Sequence, residues 1–403
     1  MKSRLARSGE MPSRPMIHLF INALAASAGG GVTYIRNVLP HFARSERARV
    51  TVLLDARLAR EFETSPNVTV LERESPSGAA LRFFAEQRLV PQRIRACGAD
   101  VLLAAGNFAL FGSPIPQILL SRNSLYTSRD FHRDLRTRGD YRLWVDTELK
   151  SAFARWSVQN ADVVVAPSAA FAEELRRWTG RPVLAIHHGF DREAFARTAE
   201  PLPRGQQEKL DSARDAFRLL FVSHYNYYRN FETLIRAMDL IRRRLRPRKV
   251  VLFLTCNLAP GANPGAYRPE AAAALIRELN VKDNVVELGS IPYGLLHHVY
   301  RAANVYVSPA YAESFAHPLV EAMSSGVPVA ASDLPVHREV CGEAAVYFDR
   351  FSPEQLAQRV VEIAESPNLA ARLSKAGVER STAFSWKNHV ESIVALAERL
   401  SAS

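Results

Sequence analysis

The feature that most constrains the fold is a repeated alternation of short apolar runs with helical patterns. Apolar runs of strand length occupy residues 16–23, 50–54 and 163–165, and helical periodicity follows each of them. The same alternation restarts at residue 217 and continues to residue 401. Strands that alternate with helices form parallel sheets covered by helices on both faces. The sequence therefore predicts an α/β protein with two similar halves.

One stretch, residues 196–216, interrupts this alternation. It contains two prolines, a glycine and a charged run with little periodicity, which is typical of a linker. We therefore predict an N-terminal domain over 16–195 and a C-terminal domain over 217–385. Ligands of open α/β sheets bind outside the carboxyl ends of the strands. A cleft between two such domains is the expected site.

Cysteine usage and hydropathy indicate the cellular compartment in which the protein is expected. Cys97, Cys256 and Cys341 have neither paired nor metal-like spacing, which favours a reducing environment. No apolar run approaches the length of a membrane span. Residues 1–15 are basic and polar, and lack the apolar segment of a signal peptide. We expect a cytoplasmic protein, with a peripheral position at the inner membrane face as the alternative.

The formal net charge of +11 allows three classes of partner: nucleic acid, an anionic membrane surface or anionic substrates. One basic cluster spans residues 242–249 and another spans 129–142. Solvated surface is the favoured interpretation of any single cluster. No nucleic-acid-binding motif is recognisable, so nucleic acid is not an expected partner. For membrane docking, the candidate faces are residues 81–95 and the 129–142 cluster.

Two glutamates, Glu313 and Glu321, flank a helix start and are separated by seven residues. Pro318 stands where the helix would begin and Gly326 where it would end, the usual asymmetry of helix punctuation. The backbone amides of residues 314–317 would then be unpaired donors beside the positive end of the helix dipole. Such a helix start binds anions. Together with two carboxylates, it suits a ligand with phosphate and hydroxyl groups, such as a nucleotide-sugar.

The same stretch resembles the donor-binding signature of family 4 glycosyltransferases, E-S-F-G-x-P-x-x-E-A-M-A-x-G-x-P-V. Ala316 replaces the usual glycine and Ser324 the usual alanine; the other positions match. The resemblance covers nearly the whole chain and is strongest over 217–350. It implies the GT-B fold, in which two Rossmann-like domains face a central cleft. It also implies that the last helix, within 386–403, crosses back to the N-terminal domain.

The resemblance also implies roles for individual residues. Glu321 would bind the ribose hydroxyls of the nucleotide, and Glu313 would lie beside the donor sugar. Arg229 matches a basic residue that holds the diphosphate, whereas His224 stands where the family has an arginine. The backbone amides that would meet sugar and phosphate belong to the run Ser314, Phe315, Ala316 and His317.

Two candidates lie in the N-terminal half. The glycine-rich turn that contains Gly30 and Gly31 is not a dinucleotide fingerprint, because Tyr34 stands where the next glycine would be needed. It is either a tight turn with close helix packing or a loop whose backbone approaches a phosphate or the acceptor sugar. Many relatives have a histidine near the donor sugar after an apolar strand. No histidine occupies residues 118–124, and Asn123 or Arg122 is the candidate replacement.

The predicted chemistry needs no metal and no cofactor besides the donor. The Asp-x-Asp motif of metal-using transferases is absent from the sequence, as is a histidine and cysteine cluster with ligand spacing. The resemblance implies retention of anomeric configuration and front-face attack. We predict transfer of a hexose-type sugar from a nucleoside-diphosphate sugar to a saccharide, lipid-linked or small-molecule acceptor, as in polysaccharide biosynthesis. The alternatives are a GT-B-fold epimerase or hydrolase of nucleotide-sugars, or a non-catalytic binding module.

Overall fold

The computed structural model of the chain describes residues 16–26, 30–76, 78–263, 265 and 267–402. Two compact units can be distinguished within it. Unit 1 comprises the chain as far as Gly106, Leu110–Ile118 and the chain from Val390 onward. Unit 2 comprises Asn107–Ala109 and Leu119–His389.

The first sheet has seven strands in the order β3-β2-β1-β4-β5-β6-β7. Every side chain of its first strand is buried, which explains why that strand reads as a continuous apolar run. The seventh strand is short, since only Leu184 and Ala185 pair with the strand before it. The strands are β1 Ile17–Asn22, β2 Ala48–Asp55, β3 Val68–Arg73, β4 Val101–Ala104, β5 Gln117–Leu120, β6 Val163–Ala166 and β7 Leu184–Ala185.

The second sheet has six strands in the order β10-β9-β8-β11-β12-β13 and lies in unit 2. Its chain order reverses between β8 and β11, and ligands of such sheets bind at this kind of switch point. The two parallel sheets confirm the predicted α/β class with two Rossmann-like sheets. The strands are β8 Phe217–Phe221, β9 Val250–Leu254, β10 Val285–Glu287, β11 Val305–Ser308, β12 Val329–Ser332 and β13 Ala345–Phe348.

Most helices connect consecutive strands of a sheet, and several begin at capping side chains. Ser168 caps the helix that begins at Ala169, because its hydroxyl accepts a hydrogen bond from the Phe171 amide at 3.1 Å. The helices are α1 Gly30–Ala43, α2 Ala56–Ala59, α3 Ala79–Cys97, α4 Arg129–Thr137, α5 Tyr141–Asn160, α6 Ala169–Thr179, α7 Arg192–Phe195, α8 Arg204–Asp211, α9 Phe231–Arg244, α10 Glu270–Glu278, α11 Leu296–Ala302, α12 His317–Ser324, α13 Pro335–Cys341, α14 Pro353–Glu365, α15 Pro367–Ser381 and α16 Trp386–Ser401.

The last helix, α16, begins in unit 2 and belongs to unit 1 from Val390 onward. Within unit 1, both carboxylate oxygens of Glu398 on this helix bind the guanidinium of Arg47. The distance from Arg47 Nε to Glu398 Oε1 is 3.0 Å. The predicted return of this helix to the N-terminal part of the chain is confirmed. The stretch 196–216 contains α8, so it includes a short helix, and the predicted domain boundaries stay a prediction.

No helix in the described ranges combines the length and apolar character needed to cross a membrane.

Candidate functional site

Helix α12 has the start and end signals that the sequence predicts. It begins at His317 with Pro318 in its first turn, and Gly326, just past its end, has a φ of 72°. Ala316 caps the helix start with φ 67° and ψ 60°, in the left-handed region. That backbone explains why glycine is usual at this position of the family signature, since only glycine adopts it without steric cost.

Arg229 and Glu313 form an ion pair although 84 residues separate them in sequence. Arg229 lies in the turn after β8, and Glu313 lies in the loop after β11. These strands are parallel neighbours, so their carboxyl ends bring the two side chains together. The side chains are only 18% and 10% exposed. Burial raises the pKa of Glu313, and the charge of Arg229 opposes that rise.

The guanidinium of Arg229 has donor capacity that its ion pair does not use. Within the described part of the chain, its buried Nε atom has no hydrogen-bond partner. The Tyr228 ring lies against the same group, at 5.0 Å from ring centroid to Cζ. A buried N–H donor without a partner is costly, and a ligand oxygen would relieve that cost. The cation is therefore suited to an anionic ligand.

Glu321 is buried at 4% exposure, so it is not a solvated helix residue. Its Oε2 atom accepts a hydrogen bond of 2.8 Å from the Tyr300 hydroxyl. Burial raises the pKa of Glu321 to about 7, against the opposing effects of the Tyr300 hydrogen bond and the charge of Arg229. Near neutral pH this carboxyl group therefore exchanges between its ionised and protonated forms.

His317 belongs to a group of aromatic and imidazole rings within unit 2. Its Nε2 atom lies 3.2 Å from Nδ1 of His188, and its ring stacks on Trp386. Burial, together with the charge of Arg122, lowers the pKa of His317 to about 4. The ring is therefore neutral at physiological pH, and can exchange hydrogen bonds but carries no charge. No spacing signal in the sequence connects His188 with His317, so reasoning from the sequence misses this contact.

The two residues before Ala316 are held by packing. The carbonyl oxygen of Ser314 accepts a 2.8 Å hydrogen bond from the hydroxyl of Ser168. Phe315 is 2% exposed and packs edge-to-face against Phe384. The Ser314 carbonyl and the Phe315 side chain thus fix the course of the loop, which leads directly into the start of α12.

Asn123 and His224 are not brought into contact with the glutamates. The Asn123 side chain accepts a hydrogen bond of 3.1 Å from the Leu125 amide and so caps a short 3₁₀ turn. His224 is exposed, and among the residues that the structure describes its imidazole has no bond to Arg229 or to either glutamate. One pocket of unit 2 does connect the turn after Asn123 with Glu313. Its lining includes Ser124, Ser128, Glu174, Arg177, Tyr311 and Glu313.

Gly30 and Gly31 lie in the first turn of α1, in unit 1. The preceding Ala28 and Gly29 lie outside the described residues. Among the described residues, a Cβ atom added to Gly30 would meet no atom within 4 Å beyond its chain neighbours and the backbone of its own helix. Close helix packing therefore does not account for glycine at position 30, and the alternative interpretation, in which the backbone approaches a ligand, stays a prediction.

The described ranges contain no group of three or more histidine, cysteine, aspartate or glutamate side chains arranged to hold a metal ion. Cys97, Cys256 and Cys341 are free thiols.

Comparison with known proteins places both halves of the chain in one family. Residues 28–194 match the family described as Glycosyltransferase Family 4. Residues 204–380 match the family described as Glycosyl transferases group 1. A D-inositol 3-phosphate glycosyltransferase from Thermobispora bispora is 30% identical over 238 residues, which are 57% of this chain and 54% of that protein. The chain thus spans about half the length of the curated relatives it matches.

Solved structures agree with this assignment at the level of the fold. Sucrose-phosphate synthase from Thermosynechococcus elongatus has a TM-score of 0.74 and 21% identity, and the match covers 96% of this chain and 99% of that chain. HepE from Anabaena, solved in complex with UDP-glucose, has a TM-score of 0.70 and 18% identity, with 95% and 100% of the two chains covered. Similarities at this identity show the fold alone. The two family matches and the GT-B fold together establish that this chain belongs to the family 4 (group 1) glycosyltransferases.

Proposed function

We propose that this chain is a retaining, metal-independent glycosyltransferase that moves a hexose-type sugar from a nucleoside-diphosphate sugar to a hydroxyl-bearing acceptor. The observation that carries the proposal is the buried pairing of Arg229 with Glu313 at neighbouring strand ends, with Glu321 buried one turn into the helix that follows. A cation, two carboxylates and a helix start are the groups that a nucleotide-sugar requires.

Arg229 is proposed to hold the diphosphate. Its ion pair with Glu313 orients the guanidinium, and its Nε atom still has a proton to donate. As the sugar departs, negative charge accumulates on the leaving phosphate, and a cation fixed in a poorly hydrated site stabilises that charge. The amides of residues 314–317 supply further donors at the positive end of α12. Neutral His317 adds hydrogen bonds without adding charge.

Glu321 is proposed to bind the two ribose hydroxyls. Only the ionised form offers all its oxygen lone pairs to hydroxyl donors, and the hydroxyls in turn favour ionisation. Glu313 is proposed to lie beside the sugar, where its charge would favour a cationic anomeric carbon. HepE was solved with UDP-glucose, which makes uridine the first base to test.

The acceptor is proposed to be a saccharide, a lipid-linked saccharide or a small molecule. The pocket that includes Glu313 supports an acceptor position beside the sugar, since it offers the hydroxyls of Ser124 and Ser128. Relatives at about 30% identity are described as D-inositol 3-phosphate glycosyltransferases, so a phosphorylated polyol belongs in the acceptor panel. The proposed location is the cytoplasm, with peripheral membrane contact.

The proposed step is a front-face displacement. The acceptor oxygen forms a bond to the anomeric carbon while the bond from that carbon to the phosphate oxygen breaks. The acceptor proton passes to the departing phosphate oxygen, and the products are a glycoside of unchanged configuration and a nucleoside diphosphate.

The test incubates the purified chain with UDP-, GDP- and ADP-sugars, with and without an acceptor panel, and identifies products by mass spectrometry and NMR. A glycoside with the configuration of the donor is the expected product. An inverted product contradicts the mechanism. Free sugar or an isomerised donor as the only product would instead indicate a hydrolase or an epimerase, and binding without turnover would indicate a binding module.

Glu321→Ala should weaken binding of the preferred nucleotide about 10²–10⁴-fold, because two charge-assisted bonds to the ribose are worth roughly 3–6 kcal/mol. Isothermal titration calorimetry measures the loss, and Glu321→Gln, which retains the shape of the buried side chain, should give an intermediate value. Glu365→Ala, at an exposed position of α14, is the matched control. A loss below threefold in a folded Glu321 variant would remove this residue from the donor site.

A further inference from the structure

Tyr300, on helix α11, is a fully buried tyrosine whose hydroxyl is directed at helix α12. Its ring packs against Tyr306 of β11 and Phe195 of α7, with centroid distances of 5.6 and 6.0 Å. Contacts with two other elements confine the ring, so the hydroxyl occupies a fixed position. The hydroxyl of a buried tyrosine usually has a specific hydrogen-bond partner, and here that partner belongs to the candidate site.

The Tyr300 hydroxyl meets the first turn of α12 at two points. It lies 2.8 Å from Oε2 of Glu321 and 3.2 Å from the carbonyl oxygen of Pro318. Residues 318 and 321 are three positions apart in a helix, so one group can reach both. A hydroxyl has one proton, and the carboxylate oxygen is both the nearer and the stronger acceptor. The hydroxyl therefore donates to Glu321 when that carboxyl group is ionised.

This contact leaves the second carboxylate oxygen of Glu321 available to a ligand. Within the described ranges, Tyr300 is the one side chain that donates to this carboxylate, and it uses Oε2. The side chain is otherwise buried, and an acceptor that stays unpaired in a buried site is costly. Hydroxyl groups of a bound diol would satisfy Oε1, which has two lone pairs to offer.

We propose that Tyr300 is a positioning residue for donor binding, whose hydroxyl holds one oxygen of Glu321 so that the other oxygen meets the ribose. The inference rests on the proposed function, since it assumes that Glu321 binds the nucleotide-sugar. Tyr300 acts through Glu321 and does not touch the donor itself. The same hydrogen bond favours the ionised carboxylate, which is the form that accepts two hydroxyl donors.

Four titratable groups act on Glu321 from the surrounding elements. They are Tyr293 in the turn before α11, Tyr300, Tyr306 on β11 and Arg229. Desolvation, together with the charge of Glu321, raises the pKa of all three phenols, so they stay neutral up to about pH 8.5. Arg229 stays charged throughout. Glu321, with a pKa of about 7, is therefore the member of this group that titrates near neutral pH.

The helices that pack against α12 add no other group that titrates near pH 7 beside Glu321 in the described structure. Burial lowers the pKa of two imidazoles, His297 on α11 and His337 on α13, so both rings are neutral. The charged side chains of α13 and α15 are exposed or bonded to partners outside α12: Arg338, Glu339, Arg372, Lys375, Glu379 and Arg380. Arg301 of α11 is exposed as well. The pH dependence of donor binding should therefore follow Glu321.

The test measures donor affinity against pH by isothermal titration calorimetry of the full-length chain. The probe is whichever of UDP-, GDP- and ADP-glucose binds best, because the diphosphate of a nucleotide-sugar lacks the terminal phosphate that titrates in a free nucleotide. Affinity should rise between pH 5.5 and pH 8.5, with a midpoint near the Glu321 pKa of about 7. Binding at pH 7 should also release about half a proton, which titrations in buffers of different ionisation enthalpy detect.

Tyr300→Phe keeps the buried ring and removes only the hydroxyl. Loss of a hydrogen bond to a charged group should move the midpoint upward by about one pH unit, which weakens binding at least about fivefold at pH 7 and less as pH rises. A residue that only supported the fold would change the affinity equally at every pH. In a Glu321→Gln background, Tyr300→Phe should not alter the pH profile, because the group that titrates has been removed.

The matched control is Tyr347→Phe, which removes a half-buried hydroxyl that donates to the carbonyl oxygen of Gly342 at 2.7 Å. It should leave the midpoint unchanged. The same midpoint in folded Tyr300→Phe as in the unmodified chain, or an equal upward shift in Tyr347→Phe, would overturn this inference alone. Failure of all three nucleotide-sugars to bind the unmodified chain would instead contradict the proposed donor site, and this inference with it.

Discussion

At the scale of single residues, Ala316 shows how this chain departs from its family at a strained position. A left-handed backbone costs an L-residue roughly 1–2 kcal/mol, and glycine avoids that cost but loses more chain entropy on folding. Ala316→Gly should therefore raise the free energy of unfolding by about 1 kcal/mol. Urea denaturation measures the change.

The same substitution within helix α12 provides the control for this prediction. Ala322 has helical backbone geometry and is fully buried, so Ala322→Gly should lower the free energy of unfolding by about 1 kcal/mol or more. If Ala316→Gly also lowers the free energy of unfolding, as Ala322→Gly does, backbone strain at position 316 does not distinguish the two sites.

Individual candidate residues could be proposed from the sequence only where a motif contains them. Glu313 and Glu321 share one motif, and Arg229 has its own. The ion pair between Arg229 and Glu313 depends on the adjacency of β8 and β11, and no local pattern encodes strand order. The contact of His188 with His317 could not be predicted for the same reason, since it joins residues 129 positions apart.

At the scale of secondary-structure elements, the start of α6 is held by a carboxylate from another helix. Both oxygens of Glu339, on α13, accept hydrogen bonds from the amides of Ala169 and Ala170, at 2.7 and 2.6 Å. His187 adds a contact of 2.6 Å. Burial alone would raise the pKa of Glu339, but these three groups together lower it. The carboxylate thus occupies the positive end of α6 and connects the two helices.

Glu339→Gln should destabilise the protein by about 1–2 kcal/mol at neutral pH, because charge-assisted bonds and the dipole interaction are lost. A lowered pKa in the folded state means that this stabilisation is present above the ordinary value of 4.5 and disappears as pH falls through the folded value. Denaturation at pH 7 and at pH 4 should therefore show the difference shrinking. Glu343→Gln, at an exposed neighbouring position, is the control, and an equal effect from it would contradict the assignment.

Secondary-structure elements could be predicted where helix start and end signals agree with apolar periodicity. They were less predictable where tertiary packing determines whether an element forms or how it is oriented. The bounds of α12 follow from Pro318 and Gly326. By contrast, α8 lies in a polar stretch without apolar periodicity, and Leu210 is the one buried residue of the helix. Helix α5 could be recognised as a helix but not oriented, because sequence rules place large apolar residues inside, whereas Tyr141, Val145 and Leu149 are exposed.

At the scale of the whole molecule, the alternation of strands and helices was enough to predict two parallel sheets. The division into compact units was not predictable, because it depends on which neighbours each element packs against. Residues 119–195 precede the predicted linker, yet they belong to the same unit as the second sheet. Helix α16 is similarly shared, since its first turn lies in unit 2 and the remainder in unit 1.

Removing residues 390–403 should therefore destabilise unit 1 severely. The deletion takes away four large apolar side chains that are at most 4% exposed, Val390, Ile393, Val394 and Leu396. At about 1.5–3 kcal/mol each, their burial approaches the whole stability of a typical domain. The truncated chain should be insoluble or should unfold at least about 10 °C below the full-length chain in calorimetry. Removing only residues 401–403 is the control and should leave Tm unchanged, because Ser401 and Ala402 are exposed. A truncated chain that keeps the Tm of the full-length protein would show that α16 is not part of the core of unit 1.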